Sequence, residues 1–426
     1  MLVGSSRVNI TPDELCTVSG QMHPRMAKFV HDPIFCNTVV FKEGDKIFSI
    51  TSNDVVGLNN DMTPELKKIL SEKYNVPEKC FAFHAIHTHL APYTNNGVDV
   101  MNQKFVDNWK KAIIQSIDIA MSNLEECDLY SGQGYIECMG WNRRGRRSDG
   151  TVEMYWGAWE EGFVGTEGPR DGSVTVLFAK RKSDSSLKVI VPNFSTHPNS
   201  VESEYFISAD LVGRTRQVLR SVWGEDVDIV YITGAAGNTA PSNLYSEEFT
   251  GHWRGEEGWN RSGIYLGSEI SKVICETCDP MSDNTLGVEE ANLEVDYMDF
   301  NKTLDPKKDR TFTEESFNEY KKEVEELSKL GPQILNVTVA RVGDTAFCTA
   351  PGELYVEFGL DIKAESPANN TIMCELTNGN VGYIPIYEAT INGGYSATFP
   401  GTRIKEDTGY RITAEAKRML LKLFND

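Results

Sequence analysis

His84, His87 and His89, three of the seven histidines in a chain of 426 residues, fall within six consecutive positions. They lie in the run Phe81-Ala82-Phe83-His84-Ala85-Ile86-His87-Thr88-His89-Leu90-Ala91-Pro92, whose Cys80–Ile86 part reads as a buried strand that Pro92 closes. If strand geometry persists through Thr88, alternation turns His87 and His89 to one side and His84 to the other. A neutral imidazole is a common zinc ligand, so two on one strand face form part of a coordination sphere. An isolated His-x-His at a strand end is more often a pair of half-buried polar side chains. Other polar groups in the chain shift that balance.

Several of those groups also follow apolar strands. Asp54 comes just after the Lys46–Ser52 strand, which forms a hairpin with Pro33–Phe41 around Glu43-Gly44-Asp45; it reads equally as a turn residue or a functional carboxylate. His197 follows the Leu187–Phe194 strand. Asn238 and Thr239 sit in the small-residue turn Thr233–Pro241, after a continuous strand over Val227–Ile232. Such a turn lets a ligand approach the backbone and presents N–H groups to an oxyanion or phosphate. It lacks the P-loop lysine and the dinucleotide glycine spacing. Glu353 follows the Asp344–Thr349 strand and opens a helix, where a first-turn glutamate ordinarily compensates the dipole. Further strands are expected over Val3–Ile10, Val174–Phe178, Gly287–Met298, Ile334–Val342 and Thr371–Leu376. Helices are expected over Thr63–Lys73, Asn102–Leu124, Asp210–Trp223 and Ser262–Cys275, and from Thr413 onward. The class is α/β, with mixed β-sheets, flanking helices and a metal site at strand carboxyl ends. No repeat or linker divides residues 1–426, so a single domain is expected.

Trp141-Asn142-Arg143-Arg144-Gly145-Arg146-Arg147 is the most basic local run, either a solvated loop or the source of an arginine that reaches the site. Trp156-Gly157-Ala158-Trp159 reads as a lid or a packed loop, and Thr311-Phe312-Thr313-Glu314 as a capping box opening a charged helix to Leu330. Cys275 and Cys278 form a lone Cys-x-x-Cys, expected as core cysteines rather than a zinc site. With 42 basic and 62 acidic residues, a net charge of -20 argues against nucleic acid or an anionic membrane as partner. No apolar run approaches the roughly 20 residues of a membrane span. The start lacks a secretory pattern, and the nine scattered cysteines suit a reducing compartment, so a cytoplasmic protein with a small-molecule substrate is expected.

The ordered set His87-Thr88-His89, His197, Gly237-Asn238-Thr239-Ala240-Pro241, Pro351-Gly352-Glu353 and Tyr395 resembles the catalytic-domain motifs of the neutral ceramidases, from Ile10-Thr11-Pro12 nearly to the end. The resemblance implies a zinc ion held by His87, His197, Glu353 and Tyr395, with His89 and Tyr395 stabilising the oxyanion. It also implies Asn142, Arg143 and Thr239 against the substrate and Asn238 in the catalytic set. Two imidazoles and a carboxylate leave an open zinc position for water, whose pKa the ion lowers toward roughly 7. The family's catalytic serine is replaced by Ala240, which favours a metal-activated water over a serine nucleophile. The family's C-terminal immunoglobulin-like domain is not expected here. The expected function is therefore zinc-dependent hydrolysis of an amide in a small polar substrate other than ceramide. The alternatives are metal-assisted elimination on a uronic-acid sugar and a catalytically silent metal-binding or ligand-binding protein.

Overall fold

Strands with apolar residues at consecutive positions must be covered on both faces, and this requirement builds the molecule in layers. In the strand Ser173–Arg181, Val174, Val176 and Phe178 pack toward one core while Leu177 and Ala179 pack into another. Leu187–Phe194 divides in the same way, Ile190 and Phe194 to the first core and Val189 and Val191 to the second. Both belong to a nine-stranded sheet running Asp228–Ile229, Leu187–Phe194, Ser173–Arg181, Glu125–Tyr135, Leu2–Asn9, Phe35–Glu43, Lys46–Asn53, Phe81–Ala85, with Ile232–Thr233 beside Leu187–Phe194. The middle pairings are antiparallel and those at both ends parallel. The computed structural model describes residues 1–21, 23–94, 100–154, 162–243, 245, 247–299 and 314–425.

Helices Met62–Tyr74, Val100–Ser122, Asp210–Trp223 and Gly255–Glu276 cover one face, contributing Leu66, Trp109, Ile113, Leu211, Leu219 and Ile270 to the first core. A four-stranded sheet, Leu286–Val295, Gln333–Val342, Thr345–Thr349 and Asn370–Cys374, covers the other. Phe41, Phe48, Phe347 and Ile372 meet between the sheets. Helices Val356–Glu365 and Thr408–Asn425 close the outside through Phe358, Ile362, Ile412 and Met419. The order is helix, sheet, sheet, helix.

The expected α/β class and most elements stand as read. Several readings are corrected. The Val227–Ile232 strand is two short ones, Asp228–Ile229 and Ile232–Thr233, both paired with Leu187–Phe194. The last helix begins at Thr408 rather than Thr413. Cys275 and Cys278 are exposed: Cys275 lies in the last turn of Gly255–Glu276, off its packed face, and Cys278 lies beyond the helix end. Arg143 and Arg144 are buried, so the basic run is not a solvated loop; Arg144 pairs with Glu167 and caps Gly393 O at 2.6 Å. The Trp156–Trp159 reading and Thr311–Thr313 of the capping box lie outside the described residues; the helix after them spans Glu314–Ser328.

The end strands of the large sheet are joined by the chain that leaves Asn370–Cys374. Glu375 N–H donates to Thr233 O at 3.3 Å, Ala85 N–H to Leu376 O at 3.1 Å, and Asn378 N–H to Phe83 O at 2.8 Å. Segment 375–378 thus fills the seam, and Thr233 Oγ1 adds a bond to Ile86 O at 2.8 Å. Closing the seam brings the chain after Phe81–Ala85 beside the chain after Leu187–Phe194.

Asp54 anchors the first of these. Its carboxylate receives Arg216 Nη1 and Nη2 at 2.6 and 2.7 Å and Phe35 N–H at 2.8 Å, and both charged side chains are buried. A bidentate pair so satisfied is a structural clamp. Removing one partner of a buried pair strands the other charge, so Asp54→Ala is expected to cost about 3–5 kcal/mol in urea unfolding. A loss of about 1 kcal/mol or less, the range of exposed pairs, would contradict the assignment.

Candidate metal centre

The strand Phe81–Ala85 stops before the histidine pair, and His87 has φ 72°. The expected extended geometry through Thr88 is therefore replaced by a left-handed kink, held by Ile86 N–H to Asn53 O and His87 N–H to Val55 O, both at 3.0 Å. The kink still brings His87 and His89 together, with Nε2 atoms 3.1 Å apart. His84 faces the opposite way, as alternation predicts, and is fully used: Nδ1–H donates to Glu375 O at 2.8 Å and Nε2 accepts Thr233 N–H at 3.0 Å.

His197 arrives from the other side of the seam. Its Nδ1–H donates to Ala236 O at 2.7 Å, as His87 Nδ1–H does to Val56 O at 2.6 Å. Each carbonyl fixes the tautomer and leaves the Nε2 lone pair for the centre. Glu353 completes the group, Oε2 lying 3.2 Å from His197 Nε2 and 3.4 Å from His87 Nε2. It is not in a helical turn: Glu353–Leu354 is a short strand parallel to Tyr383–Ile384, and the helix begins at Val356. The pairing turns the carboxylate inward.

These residues fit a metal ion. The ligand-capable nitrogens of His87, His89 and His197 lie within 4.8 Å of one another, and all three side chains are buried. Tetrahedral bonds of about 2.0–2.1 Å give ligand-to-ligand edges of roughly 3.3 Å, which the 3.2 and 3.4 Å spacings of Glu353 to His197 and His87 match. Protonation also fits. Burial, then the Arg143 guanidinium, hold the His197 imidazole well below its ordinary range, so it is neutral. Burial alone would push the Glu353 carboxyl up, but His87 and His197 against it hold it well below the usual carboxylate range.

Arg143 Nη2 lies 2.9 Å from His197 Nε2 and 2.9 Å from Gly237 O, and donates to Tyr383 Oη at 3.1 Å. A cation taking the His197 lone pair leaves the other two acceptors in place. Tyr383 is buried and bonded to Glu353, while Tyr395 is half-buried against it with ring centroids 5.5 Å apart. The remaining sequence candidates are hydrogen-bonded to neighbouring segments. Asn238 donates to Glu357 Oε2 at 2.8 Å and accepts Val356 N–H at 2.9 Å. Asn142 donates to Pro169 O and accepts Arg144 N–H; Thr239 Oγ1 donates to Ser195 O.

Two N–H groups of the small-residue turn, expected to face a ligand, are already bonded. Ala236 N–H is taken by Glu375 Oε2 at 2.9 Å and Gly237 N–H by Leu354 O at 2.9 Å, so the turn offers carbonyls to His197 and Arg143 instead. Sequence reasoning missed Glu202 beside His89 and the buried Glu375 beneath the turn, whose carboxyl burial pushes well above its usual range. Glu375 lies inside the strand expected over Thr371–Leu376, and Glu202 follows no apolar strand, although it lies five residues after His197.

No family model matches the sequence, and no curated protein matches it. The solved structures do: neutral ceramidase from Pseudomonas aeruginosa superposes with TM-score 0.76 at 15% identity, over 100% of this chain and 74% of that one. A ceramidase complexed with C2 gives TM-score 0.74 at 14% identity, over 99% of this chain and 74% of that one. The chain has the neutral-ceramidase fold. Within that fold, Ala240 is buried in the short strand Thr239–Ala240 opposite Trp141–Asn142.

Two measurements test this description. Plasma mass spectrometry after zinc reconstitution is expected to find about one ion per chain, lost in His87→Ala, His197→Ala and Glu353→Ala; full retention in any of the three would remove that residue from the set. His84 is held neutral by burial, its pKa lowered to about 3. The unfolded imidazole titrates near roughly 6.5, so this contribution to stability is complete above that pH and is lost as pH falls toward 3. His84→Asn should therefore flatten the fall of the urea midpoint between pH 7 and 5, and an unchanged slope would count against it.

Proposed function

We propose that the protein is a zinc-dependent hydrolase acting on the amide bond of a small polar substrate. One observation carries the reading: His87, His197 and Glu353 converge at ligand spacing beside a third imidazole, in the neutral-ceramidase fold. His87, His197 and Glu353 would hold the ion. Tyr395 is the tyrosine the resemblance assigns to that set, and Tyr383 the one that already bonds Glu353. Bound there, zinc supplies Lewis acidity, polarising the carbonyl and acidifying water.

The protein's own groups do the rest. His89 Nε2 takes the proton of the water whose oxygen adds to the carbonyl carbon. It returns that proton to the departing nitrogen as the C–N bond breaks, yielding a carboxylic acid and an amine, which exchange a proton in water to become carboxylate and ammonium. Arg143, a buried cation at the centre, orients a polar or anionic part of the substrate, with Tyr395 beside the developing oxyanion. Asn142, Asn238 and Thr239 hold the loops that deliver Arg143 and Ala236. No serine hydroxyl is required, in keeping with Ala240.

The test is product analysis on a panel of N-acyl amines, with uronide sugars as control. Release of free amine is expected; a conjugated ultraviolet chromophore from the uronides would establish elimination instead. His89→Ala is expected to keep its metal and lose about 10²–10⁴-fold in kcat. Loss of the metal would make His89 a ligand and remove it as the proton carrier.

A further inference from the structure

Three arginines gather where the strand Leu2–Asn9 approaches the helix Asp210–Trp223, behind the loop that carries His87. Arg7 stands opposite Asn37, and Asn37 opposite Ser52, so the three side chains share one face of the large sheet. Phe35, two residues before Asn37, lies on the same face. Arg216 and Arg220, one turn apart on the helix, meet it there. Arg216 is bound to Asp54, which also accepts Phe35 N–H, and the Arg220 guanidinium stands 6.0 Å from the Phe35 ring centroid. Tyr231 closes the group, its carbonyl accepting Ser52 Oγ at 2.6 Å.

The donors gathered here are buried and unspent. Asn37 is 0% exposed, and neither its nitrogen nor its oxygen has a hydrogen-bond partner. Arg216 Nε, Arg220 Nε and Nη2 and Tyr231 Oη are enclosed and unpartnered in the same way. Arg7 forms no hydrogen bond or close ion pair among the described residues. The nearby carboxylates are committed: Asp54 holds both Nη atoms of Arg216, and Asp228 accepts Ser5 Oγ at 2.7 Å. Glu225, the third that acts on Arg220, is exposed. Burial, then the charges of Arg216 and Arg7, lower the Arg220 guanidinium to about 10. The group is short of negative charge as well as of acceptors.

Water would meet the unpaired donors but not the charge, whereas an oxyanion meets both. The two unpartnered nitrogens of Arg220, Nε and Nη2, form the side of a guanidinium fork that binds two oxygens at once. Donors from five side chains suit the four oxygens of a tetrahedral anion better than the two of a carboxylate. Asn37 Oδ1, an acceptor, is left to a guanidinium or to water.

We propose that Arg7, Arg216 and Arg220, with Asn37 and Tyr231, form a binding site for a phosphate-type oxyanion, distinct from the metal centre. The anion ties the strand Leu2–Asn9 to the helix Asp210–Trp223. It thereby braces Asp54, whose neighbours Val55 and Val56 hold His87 through their carbonyls. The site stands independently of the hydrolase reading.

A net charge of -20 repels anions in general, so saturable binding reports a built site. Inorganic phosphate is titrated calorimetrically into the full chain, dialysed against a chelator, at mildly alkaline pH and constant ionic strength. One phosphate per chain is expected to bind and to be displaced by sulfate. Arg7→Gln and Arg220→Gln should each weaken binding about tenfold or more, whereas Arg143→Gln, at the metal centre, should bind as wild type does. Phosphate should also raise the urea midpoint of the wild type and leave that of the two weakened variants unchanged. Should Arg220→Gln not fold, Arg220→Lys keeps the charge without the fork and should still bind more weakly. The proposal is overturned by the absence of saturable binding in the millimolar range, by full affinity in the Arg7 and Arg220 variants, or by loss in Arg143→Gln alone, which would place the anion at the metal centre. Acetate binding as tightly as phosphate would overturn the tetrahedral assignment.

Discussion

The seam at Glu375–Asn378 is the constraint on which the centre depends. A sheet with parallel strands at both ends has two edges whose N–H and C=O groups need partners, and here one segment satisfies both. The backbone bonds from Ala85 to Leu376 and from Glu375 to Thr233 set how far apart the strand ends lie. His87 and His197, one beyond each side of the seam, can then share a carboxylate. Glu375 serves the same closure with its side chain, accepting the Ala236 N–H of the turn that orients His197.

Burial explains why the centre is made of such varied partners. Polar atoms removed from water need bonds, and the chain supplies most of those at the centre in tiers. Backbone carbonyls of Val56 and Ala236 hold two imidazoles, a carboxylate faces the third, and Arg143 binds a carbonyl and a tyrosine hydroxyl. Asp54 and Arg216 neutralise each other one step behind and keep Val55 and Val56 where His87 needs them. The clamp is remote from the chemistry, but the angle of the His87 ring descends from it.

Much of this was legible in the chain. The His87/His89 pair, His197 and Glu353 were found because each follows an apolar strand, and strand carboxyl ends gather polar groups in α/β folds. The strands themselves were visible because apolar residues at consecutive positions have few other uses. Glu202 and Tyr383 were not found this way, because each acquires its role from a neighbour far away in sequence: Glu202 from His89 and Arg254, Tyr383 from Arg143 and Glu353. The basic run shows the same limit. Composition makes four arginines in seven residues look solvated, and only the packed structure provides the Glu167, Tyr383 and carbonyl partners that let Arg143 and Arg144 be buried.

By itself, then, the sequence determined the α/β class and the positions of most strands and helices, and its resemblance to the neutral ceramidases supplied the candidate metal-binding side chains. The first two follow from local periodicity, which travels with the chain. Tertiary structure alone decided that Glu353 lies in a strand rather than a helical turn, that His87 needs a left-handed kink, and that Asp54 is spent on Arg216. Each is settled by a hydrogen bond or ion pair between residues distant in sequence, and no local pattern encodes such a partner.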